Sequence, residues 1–116
     1  MSDTNMMKRK AIGQMTASEF KTINGTVMRM IILLFKTRWF TFREIITALT
    51  VNKYDKEEIY EALDYFESQG YIEVRDIEGR QEVRLSDMDE DEIEMKLTGE
   101  GKKVAYSIKT DDGIDL

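Results

Sequence analysis

The run DMDEDEIE, residues 87–94, holds six carboxylates in eight positions and is the densest stretch of reactive side chains in the chain. Asp87, Asp89 and Asp91 alternate as the first ligands of a calcium loop do, where carboxylates converge on a hard cation. Glu92 stands where that loop's sharp turn needs glycine, however, and Thr98 where its bidentate glutamate belongs. The expectation is therefore a solvated loop whose like charges repel, with no metal. Gly99-Glu100-Gly101-Lys102 has the outline of a phosphate loop, but Lys96 replaces the first glycine and Lys103 the hydroxyl residue that would hold magnesium. Capping of a helix by Thr98 accounts for this stretch better. Carboxylate pairs are plentiful, yet none has an apolar pocket that would raise one pKa for acid–base work. The chain contains no cysteine and no histidine, which excludes disulfides, thiolate nucleophiles and imidazole bases or ligands. The expectation is a protein that is not an enzyme and uses no cofactor.

A chain of 116 residues is the size of one domain and can bury a core without cross-links. Its longest apolar run, residues 30–35, is far short of the roughly 20 residues needed to cross a bilayer, and the N-terminus has no signal-peptide core. A cytoplasmic protein with no membrane partner is expected. The 17 bases and 23 acids are unevenly placed. Residues 1–54 carry nine bases and three acids, residues 55–116 eight and twenty, a division that invites an electrostatic partner.

The elements that must position these charges can be read from capping and periodicity. Residues 1–15 are polar and basic at Lys8, Arg9 and Lys10, and are expected to be a disordered arm ahead of a domain spanning 16–109. Thr16 and Glu19 have capping-box spacing, Asn24-Gly25 reads as a break, and VMRMIILLFK then forms a helix apolar almost all round. Val27, Met30, Ile31 and Leu34 make one stripe. Met28, Ile32 and Phe35 make a second that needs cover from the arm, the last helix or the second subunit of a homodimer, with burial in its own core the plainer reading. Arg38-Trp39-Phe40 reads as a short strand. Thr41 and Glu44 cap a helix with Phe42, Ile45, Ile46 and Leu49 on one face; Asp55 and Glu58 cap the next, with Ile59, Ala62, Leu63 and Phe66 inward and Gly70 as its stop. Residues 71–75 alternate as a strand, Glu78-Gly79 turns, and residues 81–86 return. Residues 94–97 are a possible third strand, so one long hairpin and a three-stranded sheet both remain open. Thr98 caps a last helix whose Val104, Ala105 and Ile108 are expected to pack on the first, and residues 110–116 form a frayed acidic tail.

This order resembles a winged helix-turn-helix domain: an α+β fold with a three-helix core, a short first strand, a β-hairpin wing and an additional C-terminal helix. Three pieces carry the resemblance. FTFREIITAL follows the aromatic strand. IYEALDYFESQGYIEV is similar to the third helix and glycine-ended exit of repressors of the multiple-antibiotic-resistance and phenolic-acid types. KLTGEGKKV is similar to their leucine-threonine-x-x-glycine passage from wing to final helix. Together they span about residues 26–108.

The resemblance implies double-stranded DNA as partner and a role in transcriptional regulation, with the third helix in the major groove and the wing on the backbone. The matching positions are Lys53, Tyr54, Lys56, Glu57, Tyr60 and Glu61 on the helix, and Arg75, Arg80 and Arg84 on the wing. Arg43 and the arm bases add to the footprint. Against it stands the third helix itself, with six acids and one base over residues 55–69, because duplex binding draws on counterion release to Lys and Arg. Glu57 or Glu61 would have to accept from a cytosine amino group. Tyr54, Tyr60 and Tyr65 have rings that stack on bases, although Tyr65 beside Phe66 reads better as a flank of the core. The alternative is a protein–protein interaction module whose acidic third helix and loop bind a basic partner without DNA.

Overall fold

The structure is a computed structural model that describes residues 15–51 and 54–116. Lys53 and the arm bases Lys8, Arg9 and Lys10 lie outside the described residues. The elements run α1 (Ala17–Leu34), β1 (Phe40–Thr41), α2 (Phe42–Thr50), α3 (Lys56–Ser68), β2 (Ile72–Asp76), β3 (Ile93–Leu97) and α4 (Gly99–Ala105). This is an α+β arrangement of four helices and a three-stranded antiparallel sheet.

Local chemistry sets the helix starts. Thr16, Thr41 and Asp55 each accept the backbone N–H three residues on, from Glu19, Glu44 and Glu58, whose carboxylates return the bond to the cap's own N–H. Each reciprocal pair satisfies two donors that a helix start would otherwise leave open. Thr98 caps α4 by accepting from Gly101 N at 3.1 Å, and its hydroxyl donates to the Gly70 carbonyl at 2.6 Å. A side chain at Gly101 would overlap the Tyr71 carbonyl oxygen, so this glycine serves close packing of α4 on the exit from α3.

Asn24-Gly25 is not a break. α1 runs through both residues, and both are buried. A β-carbon at Gly25 would overlap the carbonyl oxygen of Asp115, so the glycine admits the chain's C-terminus against α1. Asn24 Nδ2 donates to the Gly113 carbonyl at 2.8 Å, Asp115 N donates to the Lys21 carbonyl at 3.0 Å, and Ile114 is buried. The end of the chain, expected to fray, is thus docked. α4 stops at Ala105, and Ile108, expected to pack on α1, is exposed.

The sheet has the order β1-β3-β2, with Phe40 opposite Met95, Val74 opposite Met95 on its other side, and Arg75 opposite Glu94. The strand that pairs with β2 is therefore residues 93–97, and not 81–86. The latter stretch meets β2's outer edge through a bridge at Arg75 and Glu82 and a bond from Val83 N to Val74 O, 3.0 Å. Pairing ends there because Leu85 turns into the core in a 3₁₀ turn, its N–H bound by Glu67 Oε2 at 2.8 Å.

Ile72, Val74, Ile93, Met95 and Leu97 point inward from the sheet to meet Val27, Met28, Ile31, Ile45, Ile59, Leu63 and Phe66 from the helices. Phe35 stacks on Phe40 with centroids 4.5 Å apart. Met28 and Phe35, named above for a dimer seam, are 0% and 8% exposed and Ile32 is half-buried, so the protein's own elements cover that stripe. The apolar side chains that α1 leaves outside are Leu33 and Leu34. Among the described residues no helix is long and apolar enough to cross a membrane.

Candidate interaction surface

The corner where α2 begins and α3 begins is covered by the acidic loop. Residues 87–92 do not stand free in solvent. Asp89 caps the 3₁₀ turn Glu90–Glu92, Glu92 Oε1 accepts from Asp89 N at 3.4 Å, and the Glu92 carbonyl accepts from Ile77 N at 2.9 Å. Met88 is half-buried and Ile93 buried, which anchors the loop between them. Asp91 Oδ1 then takes a hydrogen bond from Arg43 Nη2 at 2.7 Å, and Glu90 pairs with the Lys56 ammonium. The bond that Arg43 donates to Asp91, and the charge of that carboxylate, hold the Arg43 pKa above its ordinary value. Both pairs are well exposed, and ion pairs so placed add little to stability. Their consequence is electrostatic rather than structural: two of the bases expected to grip phosphate are matched to carboxylates of the same chain. The loop's carboxylates do not converge on one point, and among the described residues no group of acids could hold a metal.

Tyr60 sits beside this loop, its ring edge-on to Phe42 at 6.1 Å, in a groove of about 620 Å³ that Leu85, Met88 and residues 89–92 also line. Its pKa is raised, first by burial and then by the charges of Asp64, Glu67, Glu61 and Glu90. The phenol thus lies within the field of carboxylates from both α3 and the loop. Glu57, Glu61 and Asp64 recur at i, i+4 and i+7 on the exposed side of α3 and extend it along the helix.

The other expected contacts are dispersed. Tyr54 is half-buried, and its hydroxyl donates to Thr26 Oγ1 at 3.3 Å, tying the turn before α3 to α1. Arg75 is committed to the outer face of the sheet: Nε donates to Glu94 Oε2 at 2.6 Å across the strands, and its guanidinium lies 3.6 Å over the Trp39 ring. Lys96 covers the same ring at 4.9 Å and pairs with Glu73 at 3.6 Å. Arg80 holds a left-handed turn conformation, φ 55°, after β2. Asp76 organises that turn by accepting from Gln81 N at 2.8 Å and Gly79 N at 2.9 Å, bonds that lower its pKa. Arg84 lines a different groove beside Glu67 and Ser68, at the far end of α3 from Lys56. At 1.5 Å rise per residue the two ends are roughly 18 Å apart. Arg80 and Arg84 form no ion pair among the described residues. Of the bases and tyrosines expected to contact DNA, Arg43, Lys56 and Tyr60 come together, Tyr54, Arg75, Arg80 and Arg84 do not join them, and Lys53 lies outside the described residues.

A second polar centre escaped the sequence reading. Asp111 accepts from Tyr65 Oη at 2.6 Å, from the Tyr71 hydroxyl, from Gln69 Nε2 at 3.3 Å and from Gly113 N at 2.7 Å. Burial alone would raise its pKa, but the hydrogen bonds from Tyr65 and Tyr71 outweigh it and hold the carboxylate below its usual range. Burial, and then the bond to Asp111, raises Tyr65 strongly and Tyr71 to about 12. The only local signal was the Asp111-Asp112-Gly113 turn, since its tyrosine partners lie 46 and 40 residues away. No family model, curated protein or solved structure matches the chain.

Proposed function

We propose that this chain is a winged-helix protein-interaction module whose acidic α3 and loop surface receives a lysine- or arginine-rich segment of a partner protein. The element order and the β1-β3-β2 sheet support the winged-helix reading, with α2 and α3 as the helix-turn-helix pair and β2, β3 and their connection as the wing. The observation that carries the functional reading is the seating of Asp91 on Arg43 and Glu90 on Lys56. A duplex approaching α3 would meet these carboxylates, together with Glu57, Glu61 and Asp64, before it met an unmatched base. Its phosphates would lose the counterion-release gain that drives nucleic-acid binding. A cationic peptide meets the opposite field.

The test compares two probes on the full chain by fluorescence anisotropy at low and moderate salt: a labelled arginine-rich peptide and a labelled random duplex. The peptide should bind, weaken with salt, and lose at least tenfold affinity in Glu61→Lys/Asp64→Lys, while Asp112→Lys, a reversal near Tyr65, changes it little. Binding of the duplex at tens of micromolar protein without peptide binding would overturn the proposal in favour of the DNA-regulator reading, since non-specific DNA binders show dissociation constants of about 10⁻⁴ to 10⁻⁶ M.

A further inference from the structure

The acidic surface has an apolar, cationic counterpart on another part of the molecule. Met30, Leu33 and Leu34 are neighbours on the surface of α1, being three and four residues apart. Leu33 is 68% and Leu34 40% exposed. Between α1 and α2 lies an open groove of about 500 Å³ lined by Leu34, Phe35, Thr47 and Ala48, with Arg43 and Glu44 at one end. Val51, one turn beyond Thr47 on α2, is 81% exposed and prolongs the strip. Among the described residues, three of the seven large apolar side chains left exposed thus lie along one two-helix edge. Scattered singly they would be ordinary; collected beside a groove they mark a contact surface.

Cations predominate around the strip. Residues 29–43 include Arg29, Lys36, Arg38 and Arg43 and no acid. Arg29 is one turn before Leu33 and exposed, Lys36 follows the helix end, and Arg38 Nη2 donates to the Leu34 carbonyl at 3.0 Å, which holds its charge beside the groove. Arg29, Lys36 and Arg38 form no ion pair among the described residues. Glu44, the one acid at the groove, is engaged by Thr41 N at 2.8 Å.

We propose that this edge of α1 and α2 docks an amphipathic helix of a partner protein, one carrying carboxylates beside its apolar stripe. Its leucine-like anchors fill the space between Leu34 and Ala48 and cover Leu33 and Val51, and its acids meet Arg29, Lys36 and Arg38. A second copy placed about a two-fold axis would set these cations against each other, which disfavours the symmetric alternative. An anionic bilayer is disfavoured by the formal net charge of −6. This surface adjoins the acidic one at Arg43, which lines the groove and pairs with Asp91, and the two would let one small domain bridge partners of opposite charge.

The probe is a labelled synthetic helical peptide with leucines at i, i+3, i+4 and i+7 and glutamates elsewhere, with a lysine-for-glutamate version as control, titrated into the full chain. The glutamate peptide should bind and shift the amide resonances of Leu33, Leu34, Ala48 and Val51. Leu33→Asp/Val51→Asp and Lys36→Glu/Arg38→Glu should each weaken it at least tenfold, whereas Glu61→Lys leaves it unchanged, which separates this surface from the first. Equal binding of the lysine control, absence of shifts at millimolar peptide, or shifts confined to other elements would overturn the proposal. So would capture by phosphatidylserine vesicles, or self-association in sedimentation, that is lost in Leu33→Asp; these would assign the edge to a bilayer or a second copy.

Discussion

Replacing Asp111 by alanine should release the C-terminus from the body of the protein, and the size of the effect follows from the groups left behind. The carboxylate accepts four hydrogen bonds, from Tyr65, Tyr71, Gln69 and Gly113. Bonds to a charged group contribute about 1.5–3 kcal/mol each when well shielded, but this site is only half-buried and the freed hydroxyls can turn to water, so the lower end applies to the two phenols. A loss of about 3 kcal/mol results, to which undocking of Ile114 adds its share of burial. With roughly 4 °C per kcal/mol for a chain of this size, the midpoint of thermal unfolding should fall by about 12 °C. The pH dependence gives an independent check. Asp111 is held below its ordinary pKa in the folded state, so its contribution is fully present above the unfolded value of about 4 and is lost as pH falls through the lower folded value. Tyr71, raised to about 12, adds stability that is complete below about pH 10 and disappears as pH rises from there toward 12. Urea unfolding of the wild type and Asp111→Ala, followed from pH 7 downward through the carboxylate range, measures the gap and its loss in acid. The gap at pH 7 should shrink strongly in acid, and Tyr71→Phe should show part of it. A variant within about 0.5 kcal/mol of wild type at pH 7, well inside the range of ordinary surface substitutions, would refute the hub, as would a gap that persists unchanged in acid.

Gly25→Ala tests the same docking from the other side. Alanine improves an isolated helix by about 1 kcal/mol, but its β-carbon would overlap the Asp115 carbonyl, so the full chain should lose stability while a chain ending at residue 110 should gain it. A double-mutant cycle in chemical denaturation reads this reversal of sign. Arg75→Ala removes a cross-strand ion pair and the cation over Trp39 together, and should cost about 2 kcal/mol in thermal or urea unfolding, with Arg75→Lys recovering only part because an ammonium lacks the planar stacking face. Glu90→Gln/Asp91→Asn should leave the urea-unfolding midpoint nearly unchanged, both pairs being exposed, yet it unmatches Arg43 and Lys56. If the loop is what turns polyanions away, a mobility shift with duplex DNA should appear or strengthen in that variant.

The two proposals predict a division of labour that charge alone would not have suggested. The uneven bases and acids of the two halves of the sequence do not become two uniformly charged ends of the molecule. Folding sets Asp91 and Glu90 of the acidic half against Arg43 and Lys56, and it leaves Arg29, Lys36 and Arg38 without ion pairs around an apolar edge among the described residues.

What the amino-acid order determined by itself is everything that closes within about one helical turn. The capping boxes at Thr16, Thr41 and Asp55, the inward faces of α2 and α3, the stop at Gly70 and the alternation in residues 71–75 depend on neighbours three or four positions away, and each was readable. What only the tertiary structure decided is which distant surfaces meet. Residues 93–97, rather than 81–86, pair with β2 because Leu85 finds its burial in the core. Asn24-Gly25 stays helical because Asp115 lies across it, and Asp111 becomes a hub because Tyr65 and Tyr71 converge on it from two elements. The candidate bases followed the same rule: their types were visible in the sequence, but their partners were chosen by packing, since a carboxylate 48 residues away from Arg43 leaves no local trace in the sequence.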